Sequence, residues 1–181
     1  MRLIHTLPLA AAILLAGCGG DADTNEDGAI SDEEVTAEAA DLVQPRPGQY
    51  STKLELIEFD APGLPDGAKQ QMQQVFASGL AEGNTFCMTP ADVANNGPEQ
   101  MVKNLAEADC TMNSFNVSGN TIAANMQCPS EAGGSRKVTM NGQMTAESST
   151  MTMEMQQEIP SMGATTMKVK VTSQRVGDCS A

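Results

Sequence analysis

Apolar and polar residues alternate along much of the chain after Gly48. A repeat of two residues is typical of strands that turn one face to a core and the other to water. Four stretches place these residues on one face: Tyr50, Thr52, Leu54 and Leu56; Val138, Met140, Gly142 and Met144; Met151, Met153 and Met155; and Met167, Val169 and Val171. The pattern predicts a strand through each stretch, even across Asn141-Gly142, a dipeptide that often forms a tight turn.

Turn signals join the strands from Cys110 onward into an antiparallel meander. Segments 110–117 and 121–128 flank Ser118-Gly119-Asn120, which we interpret as a three-residue hairpin loop containing a glycine. We place a later turn at 146–149 and expect the last strand to end near Cys179. The C-terminal part of the chain is therefore predicted to form a sheet with methionines along one face.

Helical patterns precede this meander. Thr89 and Pro90 begin a helix, because threonine caps the first turn and proline suits the first helical position, and a further helical piece runs to about residue 106. An earlier helix, capped by Asp66 and stopped by Gly79, is predicted to face the core with Ala68, Met72, Val75, Phe76 and Leu80. Residues 45–181 are thus expected to be a mainly β domain (β-rich α+β), a curved antiparallel meander sheet with two or three short helices.

Charge and composition narrow the class of partner. The 181 residues carry a formal net charge of −13, which argues against nucleic acid as a partner because phosphate recognition depends on Lys and Arg. The chain has 13 Met, 4 Phe, 1 Tyr and no Trp. We therefore expect a core of Met, Val, Leu and Ile, whose packing adapts easily.

The start of the chain has the pattern of a bacterial lipoprotein signal. Arg2 supplies positive charge, segment 7–15 is apolar, and Leu15-Ala16-Gly17-Cys18 looks like a lipobox. We predict that residues 1–17 are a signal peptide and that Cys18 carries the lipid. Because Gly19 rather than Asp follows Cys18, we expect an outer-membrane lipoprotein that faces the periplasm.

Residues 23–34 match an EF-hand calcium loop. Such a loop needs oxygen ligands, a glycine at position 6 and a bidentate Glu at position 12. Gly28 falls at position 6, and Ile30 falls at position 8, where paired loops join through a short strand. An acidic, solvated linker is the alternative interpretation. The predicted calcium ligands are Asp23, Asn25, Asp27, the carbonyl of Ala29, Ser31 and Glu34.

Only half of an EF-hand surrounds this loop. Few residues separate the loop from Cys18, so no helix precedes it, whereas segment 32–43 is expected to form the exiting helix until Pro45 and Pro47 stop it. We predict that residues 18–44 are a lipidated tether, that nothing apolar holds the free loop, and that calcium orders it. Without a second loop, the expected Kd for calcium is about 10⁻⁴–10⁻³ M.

Four cysteines remain once Cys18 is assigned to the lipid. In an oxidising compartment they allow three disulfide pairings, and a zinc site is the weaker alternative because no Cys-x-x-Cys spacing occurs. Cys110 and Cys128 lie symmetrically about Gly119 and so face each other across the predicted hairpin. This spacing favours the pairs Cys110–Cys128 and Cys87–Cys179.

The sequence contains no recognisable catalytic constellation. The single histidine, His5, lies in the predicted signal peptide, so no Ser-His or Cys-His pair can form in the mature chain. We predict that the chain is not an enzyme and that its β-rich domain binds an unidentified protein or small molecule. The alternative is a Cu(I)- or Ag(I)-binding protein, because soft thioethers select these ions. Its ligands would be Met140, Met144, Met151, Met153, Met155 and Met167.

Several short motifs resemble those of one known family. They are Pro47-Gly48-Gln49-Tyr50, Glu58-Phe59-Asp60-Ala61-Pro62-Gly63, Cys87-Met88-Thr89-Pro90 and Arg175-Val176-Gly177-Asp178-Cys179, together with the methionine-alternating strands. In this order they resemble the domain of unknown function 3617, a family of small exported bacterial proteins, from about residue 45 to the C-terminus. The resemblance implies an exported β-rich domain and brings no catalytic residues.

Overall fold

One antiparallel sheet of seven strands organises the part of the chain that the computed structural model describes, residues 30–81, 83–95, 100, 103–104, 107–130 and 133–180. The predicted mainly β fold, an antiparallel meander with a few short helices, is confirmed. The elements in chain order are α1 (Asp32–Ala39), β1 (Gly48–Asp60), α2 (Asp66–Ala81), β2 (Asn84–Met88), α3 (Pro90–Asn95), β3 (Thr111–Ser118), β4 (Thr121–Pro129), β5 (Ser135–Met144), β6 (Ser148–Ile159) and β7 (Gly163–Gly177).

The start of the domain pairs with its end. Strands β3 to β7 form the predicted meander, in which each strand is antiparallel to the next. Strand β1 then pairs with β7, and β2 pairs with β1, so the strand order is β2-β1-β7-β6-β5-β4-β3. Within the described residues the sheet is open, with β2 and β3 as its edges.

One face of the sheet is apolar from β1 to β3, and we call it the apolar face. Directly opposite residues in paired strands lie on the same face, so the register identifies its members. The next row along the strands contains Glu55, Lys170 and Thr152 and belongs to the opposite, polar face. One apolar row crosses six strands through Leu56, Val169, Met153, Met140, Ala124 and Phe115.

A helix covers each end of the apolar face. Val35 and Ala39 of α1 are buried over β3, β4 and β5, in a cluster that includes Phe115. Helix α2 lies over the other end, where the rings of Phe76 and Phe59 are 5.4 Å apart between centroids. The helices therefore bury opposite ends of one continuous surface.

The hairpin between β3 and β4 differs from its prediction. Ser118 pairs with Thr121, so the loop has two residues, and Gly119 takes its first position with φ +58°. A bulge at Asn113 then shifts the register by one residue. These two differences cancel over the length of the hairpin, which is why Cys110 still meets Cys128.

The two disulfides in the described residues are the predicted ones, Cys110–Cys128 and Cys87–Cys179. The Cα atoms of Cys110 and Cys128 are 4.1 Å apart, and those of Cys87 and Cys179 are 5.5 Å apart. The first bridge joins the residue immediately before β3 to strand β4. The second ties the β2 edge to the segment that follows β7.

Helix boundaries differ from the predicted ones in two places. Helix α1 ends at Ala39, so the expected helix over 32–43 was too long. Helix α2 continues through Gly79 to Ala81, because one glycine costs a helix only about 1 kcal/mol. Val75, which was expected to face the core, is 64% exposed. Asn141-Gly142 remains in strand β5 as predicted, and a side chain at Gly142 would collide with Met151 opposite it.

Candidate functional site

The end of the predicted calcium loop lies against the β3 edge. The backbone N–H of Ile30, at loop position 8, donates to the carbonyl oxygen of Met112 at 3.1 Å. The Ile30 side chain is only 7% exposed and belongs to the core, so the expectation that nothing apolar holds this loop is wrong at its C-terminal end. Ser31 and Glu34 are described, whereas the other predicted ligands and the predicted lipidation site lie outside the described residues: Cys18, Asp23, Asn25, Asp27 and Ala29.

Ser31 and Glu34 form a capping box at the start of α1. Ser31 Oγ accepts a hydrogen bond from the Glu34 N–H at 3.3 Å, and Glu34 Oε2 accepts from the Ser31 N–H at 2.9 Å and from Ser31 Oγ at 2.7 Å. These bonds satisfy backbone donors that a helix start otherwise leaves unpaired. They also hold the predicted ninth and twelfth calcium ligands in contact, with a carboxylate at the end of the loop.

Helix α1 is fixed to the sheet by polar as well as apolar contacts. Glu38 Oε1 accepts a hydrogen bond from the backbone N–H of Val117, on edge strand β3, at 2.8 Å. The segment after α1 is fixed as well, since the Arg46 N–H donates to the Ala146 carbonyl at 2.7 Å and its guanidinium pairs with Glu147 at 2.6 Å. The end of the predicted tether is thus part of the packed structure.

The methionines of the apolar face form neither a closed core nor an open surface. Met140 lies opposite Met153, and Met155 lies opposite Met167, in the strand register. All four side chains are partly exposed, whereas Met112 and Met126 under α1 are buried. The alternation thus predicted correctly which methionines share a face, but it did not predict how far each is covered.

A cavity of about 250 Å³ lies between α2 and the sheet. Met72 and Phe76 of α2 line it together with the apolar side chains of Phe59, Met155 and Met167. Its polar lining residues are Arg136, Gln157 and Thr165. The motifs and spacings of the sequence did not predict this site. The sequence does contain one indication of it. In the alternation of β5, Arg136 occupies a position on the apolar face, two residues before Val138 and opposite Gln157.

Arg136 is the unusual group in this cavity. Its Nε is buried and has no hydrogen-bond partner, and its guanidinium forms no ion pair with any described residue. The side-chain oxygen of Gln157 already has a partner, since Oε1 accepts a hydrogen bond from Ser130 Oγ at 3.1 Å. Thr165, only 5% exposed, donates its hydroxyl proton to the Gly163 carbonyl at 3.1 Å.

Charged groups elsewhere form local pairs. The hydrogen bond from Lys168, at 2.8 Å on the polar face, lowers the pKa of Glu154, and the same contact raises the pKa of Lys168. Hydrogen bonds from Thr89 lower the pKa of Asp92 in the capping box that begins α3. The described residues contain no group of three or more His, Cys, Asp or Glu that could hold a metal. None of their helices has the length and apolar character needed to cross a membrane.

The fold and its bridges define a class: an open antiparallel sheet, linked by disulfides, with a helix over each end of its apolar face. The sequence model of the family described as "Protein of unknown function (DUF3617)" matches residues 45–179. The chain belongs to this family, as its motifs indicated. No curated protein and no solved structure matches the chain.

Proposed function

We propose that this protein is a non-enzymatic binding protein, anchored through lipid on Cys18 to the periplasmic side of the outer membrane, whose loop 23–34 binds calcium. The lipobox, the position of Gly19 and the EF-hand pattern support the anchor and the loop. The cavity beside Arg136 supports a binding role for the β-rich domain.

The observation that carries the calcium proposal is the hydrogen bond between the Ile30 N–H and the Met112 carbonyl. In paired EF-hands, position 8 joins the partner loop through a short strand. An edge strand offers unpaired N–H and C=O groups for such a contact. We infer that strand β3 replaces the missing second loop and that Glu34 exchanges its bonds to Ser31 for the ion.

Calorimetry on the Cys18→Ser chain, purified without lipid, tests the calcium site. We expect a Kd of about 10⁻⁴–10⁻³ M for calcium and weaker binding of magnesium, which demands a tighter octahedral shell. Glu34→Gln should abolish the heat of binding. Glu33→Gln is the matched control, because Glu33 lies in the same acidic first turn but is not a predicted ligand. No heat at millimolar calcium, or unchanged binding by Glu34→Gln, would make this stretch an acidic linker.

Membrane fractionation of the Cys18→Ser chain tests the anchor. The acyl chains of a bacterial lipoprotein exceed the two signals that stable anchoring needs. Wild-type protein should therefore fractionate with the outer membrane, and the variant should be released or mislocalised. If the variant stayed in the outer-membrane fraction as fully as wild type, the lipoprotein proposal would be wrong.

A second candidate function is the binding of Cu(I) or Ag(I) by thioethers. The observation that favours it is the direct pairing of Met140 with Met153 and of Met155 with Met167 on partly exposed positions. Silver titration of wild type and of a chain with Met151, Met153 and Met155 changed to Leu distinguishes the two functions. Tight stoichiometric uptake that the triple variant loses would favour metal binding, and no uptake would exclude it.

A further inference from the structure

The cavity under α2 contains a positive charge, Arg136, that forms no ion pair with any described residue. Arg136 extends from the apolar face of β5, and its Nε is buried without a hydrogen-bond partner. A buried polar atom without a partner is costly, because it has lost its water and gained nothing in exchange. No acidic residue in the described part of the chain therefore pairs with this site, although the chain as a whole carries a net charge of −13.

The donors at this site fit a carboxylate. A guanidinium presents its N–H groups in a planar fork that matches the two oxygens of a carboxylate. Gln157 adds a second donor, since its Oε1 is taken by Ser130 and its NH₂ group has no partner among the described residues. Thr165 donates to Gly163 instead, so Arg136 and Gln157 are the donors that remain for a ligand.

The rest of the cavity fits a short hydrocarbon chain. Its apolar walls include Met72, Met155 and Met167, and methionine side chains adapt to ligands of irregular shape. A cavity of about 150 Å³ holds benzene, so by proportion this one holds a molecule of roughly ten non-hydrogen atoms. Phe76 of α2 lines the cavity and is 37% exposed.

We propose that this cavity binds a small amphiphilic carboxylate, with the carboxylate on Arg136 and Gln157 and an apolar chain of about the length of octanoate under α2. The inference rests on the proposed binding function and names its class of ligand. It is independent of the calcium loop, whose described residues, 30–34, lie at the other end of the apolar face.

Calorimetric titration with sodium octanoate tests the site, using the Cys18→Ser chain with both disulfides intact. This chain, whose cavity is unchanged, should bind octanoate at least about tenfold more tightly than neutral octanol. A hydrogen bond to a charged group is worth about a factor of ten or more in affinity. Arg136→Gln should lose that same factor for octanoate. The matched control is Lys137→Gln, which removes one positive charge from the next residue on the polar face and should change the affinity less than about twofold.

The octanoate titration tests the carboxylate site separately from the calcium loop. Equal binding of octanoate and octanol, undiminished binding by Arg136→Gln, or no octanoate binding would overturn the carboxylate site while leaving the calcium titration intact. If Arg136→Gln failed to fold, the comparison of octanoate with octanol on the unchanged cavity would still decide. Octanoate should be recovered unchanged, since its conversion would contradict the non-enzymatic function rather than the site.

Discussion

The two ends of the apolar face are built differently. Under α1 the core is closed, with Phe115, Ala124 and Ile122 at most 3% exposed. Under α2 the same face retains a cavity of about 250 Å³, and Phe76 on the helix is 37% exposed. The helix of 8 residues therefore covers its end more completely than the helix of 16 residues.

The side chains that each helix presents explain this difference. Helix α1 turns Val35 and Ala39 to the sheet, and such small residues let a helix backbone approach closely and leave few voids. Helix α2 presents Met72 and Phe76, which line the cavity instead of filling it. The closed end has the packing that stabilises a fold, whereas the loosely covered end has the room that a ligand needs.

Removing the disulfides should give the largest effects, and the two ends should differ. Chain-entropy arguments give about 4.6 kcal/mol for the Cys87–Cys179 bridge, which spans 92 residues, and about 3.2 kcal/mol for Cys110–Cys128, which spans 18. Urea unfolding of the two double Cys→Ser variants measures both losses. In reducing buffer the variants and wild type should unfold alike. A greater loss from the Cys110–Cys128 variant would show that packing at the closed end, rather than loop length, sets the effect.

These bridges also show why some features can be predicted from sequence. Hydrophobic alternation located the strands, and the symmetry about Gly119 paired Cys110 with Cys128 although the loop is one residue shorter than predicted. The bulge at Asn113 leaves no signal in the alternation, so the compensating shift could not be foreseen. The pairing of β1 with β7 joins residues far apart in the chain, which local patterns do not report.

Truncating one phenylalanine at each end compares the packing directly. Phe115→Ala should lose about 3–5 kcal/mol of unfolding free energy, because Phe115 is fully buried and its removal leaves a cavity. Phe76→Ala should lose only about 1 kcal/mol, because Phe76 is partly exposed beside an existing cavity. Guanidinium unfolding of both variants gives the comparison. Equal losses would mean that α2 closes its end as tightly as α1 does.

The candidate sites were harder to predict than the fold. The docking of α1 depends on Val35 and Ala39 in an Ala- and Glu-rich run, where two small apolar residues give little amphipathic signal. Arg136 breaks the alternation of β5, but a charged residue near a strand end is equally consistent with an exposed position. In each case the sequence shows the residue, but it does not show which distant residues the fold places beside it.

Replacing Arg136 should stabilise the end that α2 covers. Arg136→Met keeps an unbranched apolar stem and removes a charge that has no ion-pair partner among the described residues, so the ligand-free protein should gain about 1 kcal/mol. Thermal unfolding without ligand measures the gain, with Lys137→Met as the control on the polar face, expected to change stability by no more than about 0.5 kcal/mol. A loss of stability in Arg136→Met alone would show that the guanidinium supports the fold.

The polar face lies on the opposite side of the sheet from both helices. Its charged pairs should contribute least to the free energy of unfolding. The contact with Lys168 lowers the pKa of Glu154 in the folded state, so its contribution is present above the unfolded pKa of about 4.3 and is lost as the pH falls through the lower folded value. Glu154→Gln should therefore cost less than about 1 kcal/mol at pH 7 and nothing once the pH is below that range. The matched control is Glu55→Gln, whose carboxylate is 62% exposed and 3.9 Å from Lys170. Urea unfolding at pH 7 and pH 3 measures these changes in stability. If Glu154→Gln still lowered the stability at pH 3, packing rather than charge would be the cause.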